Sequence, residues 1–289
     1  MAESFDVLTP LVTPFDADGD LDVDGLKSLV RHVATTGVDG IVPCGTTGEF
    51  ETLSPGEYRT VVRTTTETVP EDCRVIVGTA ATDVATVHER MAFAAEQGAD
   101  STLVVPSYYG GQASGAGNEA FFDAVLADVP LPSTSTTSPG CRTETVRRHG
   151  RRARSVRRRR GAQGLLWRPP VRHCGPEPDA RGLHRLSGHD GLFVPSLLLG
   201  GDGGVSALSH LLHSELERAG TAVANGDVAE ARAVQRKILS PLSEACAEFG
   251  FAPTVKALLA DRGIIDHATV RPPRDSLSPD AVESVTELL

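Results

Sequence analysis

Apolar residues recur along the first part of the chain in a regular alternation of strand-like and helix-like patterns. Short, uniformly apolar runs are typical of buried parallel strands, and they predict strands at 6–15, 40–42, 74–78 and 101–106. Apolar residues at helical spacing predict helices at 21–36, 54–68, 83–97 and 118–127. Such alternation with short loops indicates right-handed βαβ units, which fit both a closed parallel barrel and an open doubly wound sheet.

The alternation stops near residue 133 and returns near residue 192. Residues 133–189 show neither the strand period nor the helix period. A glycine-rich strand or loop follows at 200–206, and helical patterns then predict helices at 206–225, 228–249, 253–262 and 278–288. We therefore divide the chain into an α/β region at 1–205, disrupted at 133–188, and a helical region at 206–289.

The most informative stretch lies at the end of the second predicted strand and reads Gly45-Thr46-Thr47-Gly48-Glu49. Glycines let the backbone approach a ligand closely, and the hydroxyls and amides between them can hold a carboxylate. An ordinary strand-to-helix turn is the alternative for these five residues taken alone. They are nevertheless the first candidates for a binding site.

The charge of the chain is split between two parts. Between residues 133 and 189, fourteen arginines stand beside only three acidic residues. The rest keeps 14 basic and 35 acidic residues, a net charge of −21, against −10 for the whole chain. The only lysines are Lys27, Lys237 and Lys256. An acid-rich, lysine-poor surface favours solubility in concentrated salt, so we expect a halophilic source.

Other features of composition narrow the class of protein. The five cysteines are scattered without metal-ligand spacing, which predicts neither a metal site nor a disulfide framework. No apolar run approaches membrane-spanning length, and the first residues do not resemble a signal peptide. We therefore expect a cytoplasmic protein with no membrane partner.

The arginine-rich segment allows three interpretations. Nucleic-acid binding is one, but Trp167 is its only interleaved aromatic residue and no recognisable module is present, so we expect no nucleic-acid partner. A solvated or disordered insert is the second. Translation of the gene in a shifted reading frame is the third, and it depends on a family resemblance.

Four stretches together resemble the dihydrodipicolinate synthase / N-acetylneuraminate lyase family of class I pyruvate aldolases. They are Leu11–Phe15, Gly45–Glu49, Val104–Tyr109 and Gly200–Ser206, and their order and spacing match over residues 5–132 and about 188–289. The resemblance implies a (β/α)8 TIM barrel with a C-terminal helical extension, a homotetramer, and an active site at the carboxyl ends of the strands.

The resemblance also implies a chemistry without metal or cofactor. In the family a lysine on the sixth barrel strand condenses with the ketone of a 2-keto acid, and the iminium accepts electrons as a carbon–carbon bond forms or breaks. By the same resemblance Thr46 belongs to the proton relay and Thr47 binds the substrate carboxylate. Tyr109 matches a relay tyrosine that reaches into a neighbouring subunit's site. Val205 lies in the segment whose backbone contacts the keto acid. Independently of the resemblance, Glu49 is predicted to be a carboxylate behind the site or at a helix N-terminus, not a general base.

Two residues that this chemistry needs are missing. The family pattern Tyr-Asn-x-Pro belongs just after Pro132, and the lysine motif belongs one strand later, yet neither appears. Lys27 and Lys256 fall in predicted helices away from the strand ends. The printed sequence therefore contains no lysine at the place of the Schiff-base nucleophile.

The genetic code supplies a reason for this loss. If the codons of 132–139 are read from their third base, they can encode Val-Tyr-Leu-Tyr-Asn-Ile-Pro. If those of 159–169 are read from their second base, they can encode Val-Val-Gly-Leu-Lys-Asp-Ser-Ser-Gly-Asp. Each restores the expected motif at the expected place. We therefore interpret 133–188 as out-of-frame translation and expect it to be irregular, without regular fifth and sixth barrel strands.

The resemblance implies a lyase that acts on a small 2-keto acid. Phe50, which follows Glu49, resembles the 2-keto-3-deoxy sugar acid aldolases, so we expect cleavage of such a sugar acid to pyruvate and an aldehyde. The alternative within the same class is 4-hydroxy-tetrahydrodipicolinate synthase. An alternative of a different class is a catalytically inactive barrel that serves as a binding or interaction protein, which is what the literal sequence encodes.

Overall fold

The structure, a computed structural model, describes residues 5–106, 115–127, 129–135 and 186–289. The chain forms two compact units, of which the first comprises Met1–Val75 and Pro176–Leu289 and the second Ile76–Gly175. The strands, numbered as they occur in the described residues, are β1 (Asp6–Thr9), β2 (Gly40–Ile41), β3 (Arg74–Gly78), β4 (Ser101–Val104), β5 (Ser133–Ser135), β6 (Leu186–Ser187) and β7 (Gly203–Val205).

Helices alternate with these strands and then occupy the last part of the chain. They are α1 (Val23–Thr35), α2 (Pro55–Thr68), α3 (Val84–Glu96), α4 (Gly115–Leu126), α5 (Phe193–Leu198), α6 (Ser209–Ala224), α7 (Val228–Val234), α8 (Ser240–Phe249), α9 (Phe251–Asp261) and α10 (Pro279–Thr286). Short 3-10 turns occur at Phe50–Thr52 and Asp190–Leu192, and a π-helical turn at Gln235–Leu239 joins α7 to α8.

The sheet of the first unit is parallel and is centred on β1. This strand pairs with β2 on one side and with β7 on the other, and Leu8 stands opposite both Gly40 and Val205. Beyond these neighbours, β6 pairs with β7, and the first two residues of β3 pair with β2. The carboxyl ends of β2 and β7 therefore lie at the same edge of the sheet, with β1 between them.

One glycine makes the β1–β7 pairing possible. Gly203 has a φ of +146°, and a Cβ at this position would lie 2.0 Å from the carbonyl oxygen of Asp6. Any other residue would therefore push β7 away from β1. The glycine-rich pattern at 200–206 consequently includes a strand of three residues.

The second unit contains the end of β3, followed by β4 and β5, again in parallel register. Its apolar core packs α3 against α4 through residues such as Val87, Met91, Phe122 and Val125, all buried. In the first unit, α1 buries one face at helical spacing, Leu26, Leu29, Val30 and Val33. The predicted periodicity is confirmed in both units.

Side-chain caps determine where the early helices begin. Asp22 caps α1 and Asp83 caps α3, each by accepting a backbone N–H three residues ahead. Ser54 and Glu57 form a reciprocal capping box at α2, which has Pro55 at its first position. These helices start within two residues of the predicted positions.

Several predicted boundaries are wrong. The first strand ends at Thr9 and not at residue 15, because Pro10 and Pro14 have no N–H to donate to a sheet. The helix predicted at 118–127 begins earlier, at Gly115, and the one predicted at 228–249 is divided by the π-helical turn.

The expectation that 133–188 lacks a regular fifth strand is wrong for residues 133–135. β5 pairs with β4 over three residues, and the Oγ of Ser133 lies 2.9 Å from the hydroxyl of Thr102. At the other end, β6 pairs with β7. A parallel ladder is built from backbone groups, so polar residues such as these serines can occupy it. The interior, 136–185, lies outside the described residues.

Candidate functional site

The predicted carboxylate-binding loop follows β2 in an unusual backbone conformation. Cys44 and Glu49, on either side of Gly45–Gly48, both adopt left-handed backbone angles, with φ of 57° and 54°. Such angles in residues other than glycine carry strain of roughly 1–3 kcal/mol each and persist only where the surroundings enforce them. Strain of this kind concentrates at functional sites, so it marks the loop as a candidate site.

The two threonines of this loop carry hydroxyl and amide groups that make no hydrogen bond to the described residues. Thr46 is exposed and Thr47 half-buried. Within the described part of the chain neither hydroxyl is hydrogen-bonded, and neither backbone N–H donates to a carbonyl. Two adjacent N–H groups next to two hydroxyls form a concave set of donors, which suits an anion such as a carboxylate.

The side of the loop opposite these donors is packed closely against the chain after β1. The hydroxyl of Thr13 donates to the carbonyl oxygen of Gly48 at 2.7 Å. A Cβ on Gly48 would lie 2.7 Å from the carbonyl oxygen of Leu11. The second glycine of the motif is therefore required by a close backbone approach, and the loop rests directly on residues 11–13.

Glu49 is fully buried and forms an ion pair with Lys256 of α9. Its Oε1 accepts from the Nζ of Lys256 at 2.6 Å, and its Oε2 accepts from the backbone N–H of Arg271 at 3.0 Å. Neither side chain of the pair is exposed to solvent. Glu49 is thus held from two sides and faces protein.

Lys256 is held as firmly as its partner. Its Nζ also donates to the carbonyl oxygen of Thr269 at 2.7 Å and lies 4.1 Å from the centre of the Phe15 ring. Burial lowers the pKa of Lys256 to about 8, although the Glu49 carboxylate opposes this shift. The lysine therefore remains protonated at neutral pH and binds Glu49 as a cation.

A second ion pair connects the same parts of the chain. The guanidinium of Arg271 binds both carboxylate oxygens of Glu57, at 3.1 and 2.5 Å, and lies 4.2 Å from the centre of the Phe15 ring. Hydrogen bonding to Arg271 lowers the pKa of Glu57 to about 2. Arg274 pairs with Glu51 beside it.

Val205 is the last residue of β7. The segment after it is fixed by buried polar groups, because the hydroxyl of Ser206 donates to the carboxylate of Asp190 after β6. Burial raises the pKa of Asp190, although the Ser206 hydroxyl and the nearby backbone N–H groups of Leu208 and Ala207 oppose this shift. The structure thus brings Val205 and the threonine loop to one edge of the sheet.

A buried histidine connects this edge to the chain after β1. The Nε2 of His210 accepts from the backbone N–H of Val12 at 3.2 Å. Its Nδ1 therefore carries the proton and donates it to the carbonyl oxygen of Ala207 at 2.8 Å. Burial lowers the pKa of His210 to about 4, which keeps the imidazole neutral. It serves as a fixed hydrogen-bonding link.

The relay tyrosine and the Schiff-base lysine of the family chemistry are not among the described residues at this edge of the sheet. Tyr109, the predicted relay tyrosine, lies outside the described residues. All three lysines are described: Lys27 is on α1, Lys237 on the π-helical turn and Lys256 on α9. None follows the carboxyl end of a strand, so the lysine position of the family chemistry is unfilled in the printed sequence.

Sequence reasoning missed the residues behind the loop. The helical pattern predicts that Lys256 lies on a helix and says nothing of a partner. Lys256 is, however, one of three lysines and stands in the otherwise apolar run 255–260. A lysine in an apolar run indicates a buried lysine, and a buried lysine needs a partner of opposite charge. The pairing with Glu49, 207 positions away, was not visible in any local pattern.

Other kinds of site find no support in the described residues. No group of three or more histidine, cysteine, aspartate or glutamate side chains there could hold a metal ion. No helix of the described part is long and apolar enough to cross a membrane.

Comparison with known proteins identifies the family. The Dihydrodipicolinate synthetase family matches residues 3–137 and 179–289. The 4-hydroxy-tetrahydrodipicolinate synthase of Corynebacterium aurimucosum is 36% identical over 259 residues, which cover 88% of this chain and 83% of the relative. The enzyme of that name from Mycolicibacterium paratuberculosis is 34% identical over 281 residues, which cover 97% and 92%.

A solved structure agrees with this assignment. Dihydrodipicolinate synthase from Cyanidioschyzon merolae matches the fold with a TM-score of 0.79 and 26% identity, covering 100% of this chain and 98% of its own. The parallel strands and intervening helices are therefore TIM-barrel-like. The chain belongs to the dihydrodipicolinate synthetase family, whose members are carbon–carbon lyases and synthases that act through a Schiff base.

Proposed function

We propose that the loop Gly45–Glu49 binds the carboxylate of pyruvate or a related 2-keto acid. The observation that carries this proposal is the set of donors on Thr46 and Thr47, which are unbonded within the described residues and follow β2 at the carboxyl edge of the sheet. In this proposal Thr47 and the two amides hold the carboxylate, and Thr46 takes part in proton transfer. The backbone of Val205 contacts the keto acid from the other side of β1.

The carbon–carbon chemistry requires an amine that the printed sequence does not place at a strand end. We propose that residues 133–188 are out-of-frame translation and that the intact gene encodes the lysine and the proton-shuttling tyrosine. Two observations support this: the family match stops at 137 and resumes at 179, and all three lysines lie on helical segments. Tyr109 is proposed as the relay tyrosine from a neighbouring subunit.

Among the family's activities, 4-hydroxy-tetrahydrodipicolinate synthase is better supported than sugar-acid cleavage. Curated relatives with 32–36% identity carry that name. The sugar-acid prediction is based on Phe50, and no comparison favours it specifically. We therefore propose condensation of pyruvate with a carboxylate-bearing aldehyde, and keep the sugar-acid lyase as the second candidate.

The first test is resequencing of the gene across 133–188. The proposal expects a corrected frame that encodes a lysine one strand after a Tyr-Asn-x-Pro pattern. The printed chain and the corrected chain are then incubated with pyruvate and borohydride, and their intact masses are measured. The corrected chain should gain one reduced pyruvyl group by reduction of its imine, whereas the printed chain should gain none.

The outcomes separate the candidates. Consumption of pyruvate with the aldehyde supports the synthase, and release of pyruvate from a 2-keto-3-deoxy sugar acid supports the lyase. If the printed frame is confirmed and no imine is trapped, the inactive binding protein is the remaining interpretation and the enzymatic proposal is wrong.

We also propose a closed (β/α)8 barrel over 1–205, with the last barrel helix and a C-terminal helical extension at 206–289. A homotetramer in the cytoplasm is proposed with it, because the family resemblance implies tetramers. Light scattering after size exclusion on the corrected chain tests the assembly. A monomer would contradict the tetramer and would also remove the role given to Tyr109.

A further inference from the structure

The loop that is proposed to bind the keto acid is held by residues from the far end of the chain. Three carboxylates, Glu49, Glu51 and Glu57, each pair with a cation from the segment 256–274. We call these three ion pairs, Glu49–Lys256, Glu51–Arg274 and Glu57–Arg271, the clasp. It joins the loop and the start of α2 to α9 and the chain that follows α9.

The loop is strained although its turn is hydrogen-bonded. The N–H groups of Gly48 and Glu49 donate to the carbonyl oxygens of Gly45 and Thr46 at 3.0 and 3.1 Å, but the amides of Thr46 and Thr47 make no backbone hydrogen bond within the described residues. The left-handed angles at Cys44 and Glu49 are strained, and a strained loop keeps one conformation only when other parts of the structure hold it. The clasp provides such a hold at Glu49, two residues after Thr47.

The central pair of the clasp is rigid. Both carboxylate oxygens of Glu49 are engaged, by the Nζ of Lys256 and by the backbone of Arg271. Lys256 is in turn fixed by the carbonyl of Thr269 and the ring of Phe15. Because neither charged group is exposed, movement of Glu49 would leave a buried charge without its partner, which is strongly unfavourable.

The outer pairs differ from the central pair in exposure. The side chains of Glu57 and Arg271 are 25% and 17% exposed, and those of Glu51 and Arg274 are 34% and 21% exposed. Exposed pairs are screened by salt and contribute less than buried ones. The control over the loop is therefore expected to lie with Glu49 and Lys256.

We propose that Glu49 and Lys256 are positioning residues, which hold the Thr46–Thr47 loop in the conformation that binds the keto-acid carboxylate. This inference rests on the proposed function. It gives the C-terminal helices a part in substrate affinity, although they contribute no group to the carboxylate site.

The test uses the full chain encoded by the resequenced gene and three variants of it, Lys256→Met, Glu49→Gln and Lys256→Met/Glu49→Gln. A fourth variant, Leu242→Ala in α8, creates a cavity at a fully buried position outside the clasp and serves as the control for lost stability. Two quantities are measured well below the unfolding temperature: amide hydrogen exchange of peptides covering 43–53, and the Kd for pyruvate by calorimetry.

Lys256→Met should speed exchange in 43–53 and raise the Kd for pyruvate by roughly tenfold, the change that about 1.4 kcal/mol produces. Leu242→Ala should leave both quantities within about twofold of the unaltered chain, since it lies away from the loop. The double variant removes both buried charges, so it should recover stability over Lys256→Met without recovering affinity for pyruvate.

The double variant separates positioning from simple stabilisation. If affinity for pyruvate returns together with stability, or if exchange in 43–53 is unchanged in Lys256→Met, the positioning role is wrong. If the unaltered chain binds no pyruvate, the proposed function fails, and the exchange measurement alone then decides whether the clasp orders the loop. Should Lys256→Met not fold, Glu49→Gln and the double variant supply the same comparison.

Discussion

Lys256 is buried without any exposed atom, which is rare for a lysine and requires a partner of opposite charge. Removing one member of a buried pair leaves an uncompensated charge, so we expect Lys256→Met to lower the free energy of unfolding by about 3–5 kcal/mol. Glu49→Leu/Lys256→Met should recover much of this loss. Urea denaturation of the single and double variants measures both values.

Lys27 provides a matched control for this prediction. It also pairs with an acid, Asp24 at 2.9 Å, but both side chains are exposed. Lys27→Met should therefore change the free energy of unfolding by no more than about 1 kcal/mol. Equal losses from Lys27→Met and Lys256→Met, or a double variant at Glu49 and Lys256 whose loss is the sum of the single losses, would contradict the buried-pair interpretation.

The lowered pKa of Lys256 makes stability depend on pH. Its pKa is about 8 in the folded chain and 10.5 as an ordinary lysine, so between these values the unfolded chain binds more protons. Stability due to this group therefore rises as pH increases from about 8 to 10.5. The difference in unfolding free energy between the unaltered chain and Lys256→Met should grow over that range, by up to about 3 kcal/mol.

Urea denaturation at several pH values between 7 and 11 measures this difference. Titrating groups other than Lys256 and Glu49 are common to both chains and cancel. Because Glu49 loses its cation in Lys256→Met, Lys256→Met/Glu49→Gln is measured beside it. A difference that shrinks as the pH rises would show that burial does not lower the pKa of Lys256 in the folded protein.

The threonine loop depends on Gly48 as much as on its hydroxyls. A Cβ on Gly48 would approach the carbonyl oxygen of Leu11 to 2.7 Å, and backbone atoms cannot easily yield. We expect Gly48→Ala to displace the loop and weaken pyruvate binding by about tenfold or more. Calorimetric titration with pyruvate measures the effect.

Gly56→Ala is the control for this substitution. A Cβ on Gly56, in the first turn of α2, would meet only the Oγ of Ser54, at 4.0 Å. Alanine also favours a helix over glycine by roughly 1 kcal/mol, so this variant should bind pyruvate normally and unfold no more easily. Equal affinities in Gly48→Ala and Gly56→Ala would exclude a steric requirement at residue 48.

The early helices were predictable because their signals are local. Ser54, Pro55 and Glu57 form the start of α2 within four consecutive positions, and the structure contains the expected capping box.

Strand ends were less predictable. Apolar residues continue to Phe15, but prolines end β1 at Thr9, and the polar residues of β5 gave no strand signal.

Of the candidate site, only the residues at the carboxyl edge of the sheet could be predicted from the sequence. The motif and its resemblance indicated Thr46, Thr47 and Val205, and the strand register places them at one edge of the sheet. The clasp could not be predicted, because it joins residues 49–57 to residues 256–274 through packing that no local period encodes. Its residues were visible individually only as acids and arginines in a charged chain.

The charge of the molecule as a whole leads to a last prediction. Outside the arginine-rich segment the chain carries a net charge of −21, so its acidic residues repel each other in dilute buffer. Raising the ionic strength from 0.1 to 1 M shortens the screening distance from about 10 to 3 Å. The unfolding midpoint should therefore rise by about 5 °C, which corresponds to roughly 1–2 kcal/mol for a chain of this size.

Thermal unfolding in sodium chloride and in potassium chloride at equal ionic strength tests this expectation. Screening depends on ionic strength and not on the cation, so both salts should raise the midpoint equally. Lys256→Met should show the same rise, since the pair that it removes is shielded from solvent. A midpoint that falls between 0.1 and 1 M salt would mean that the exposed ion pairs outweigh the repulsion, and it would remove the basis for expecting a halophilic protein.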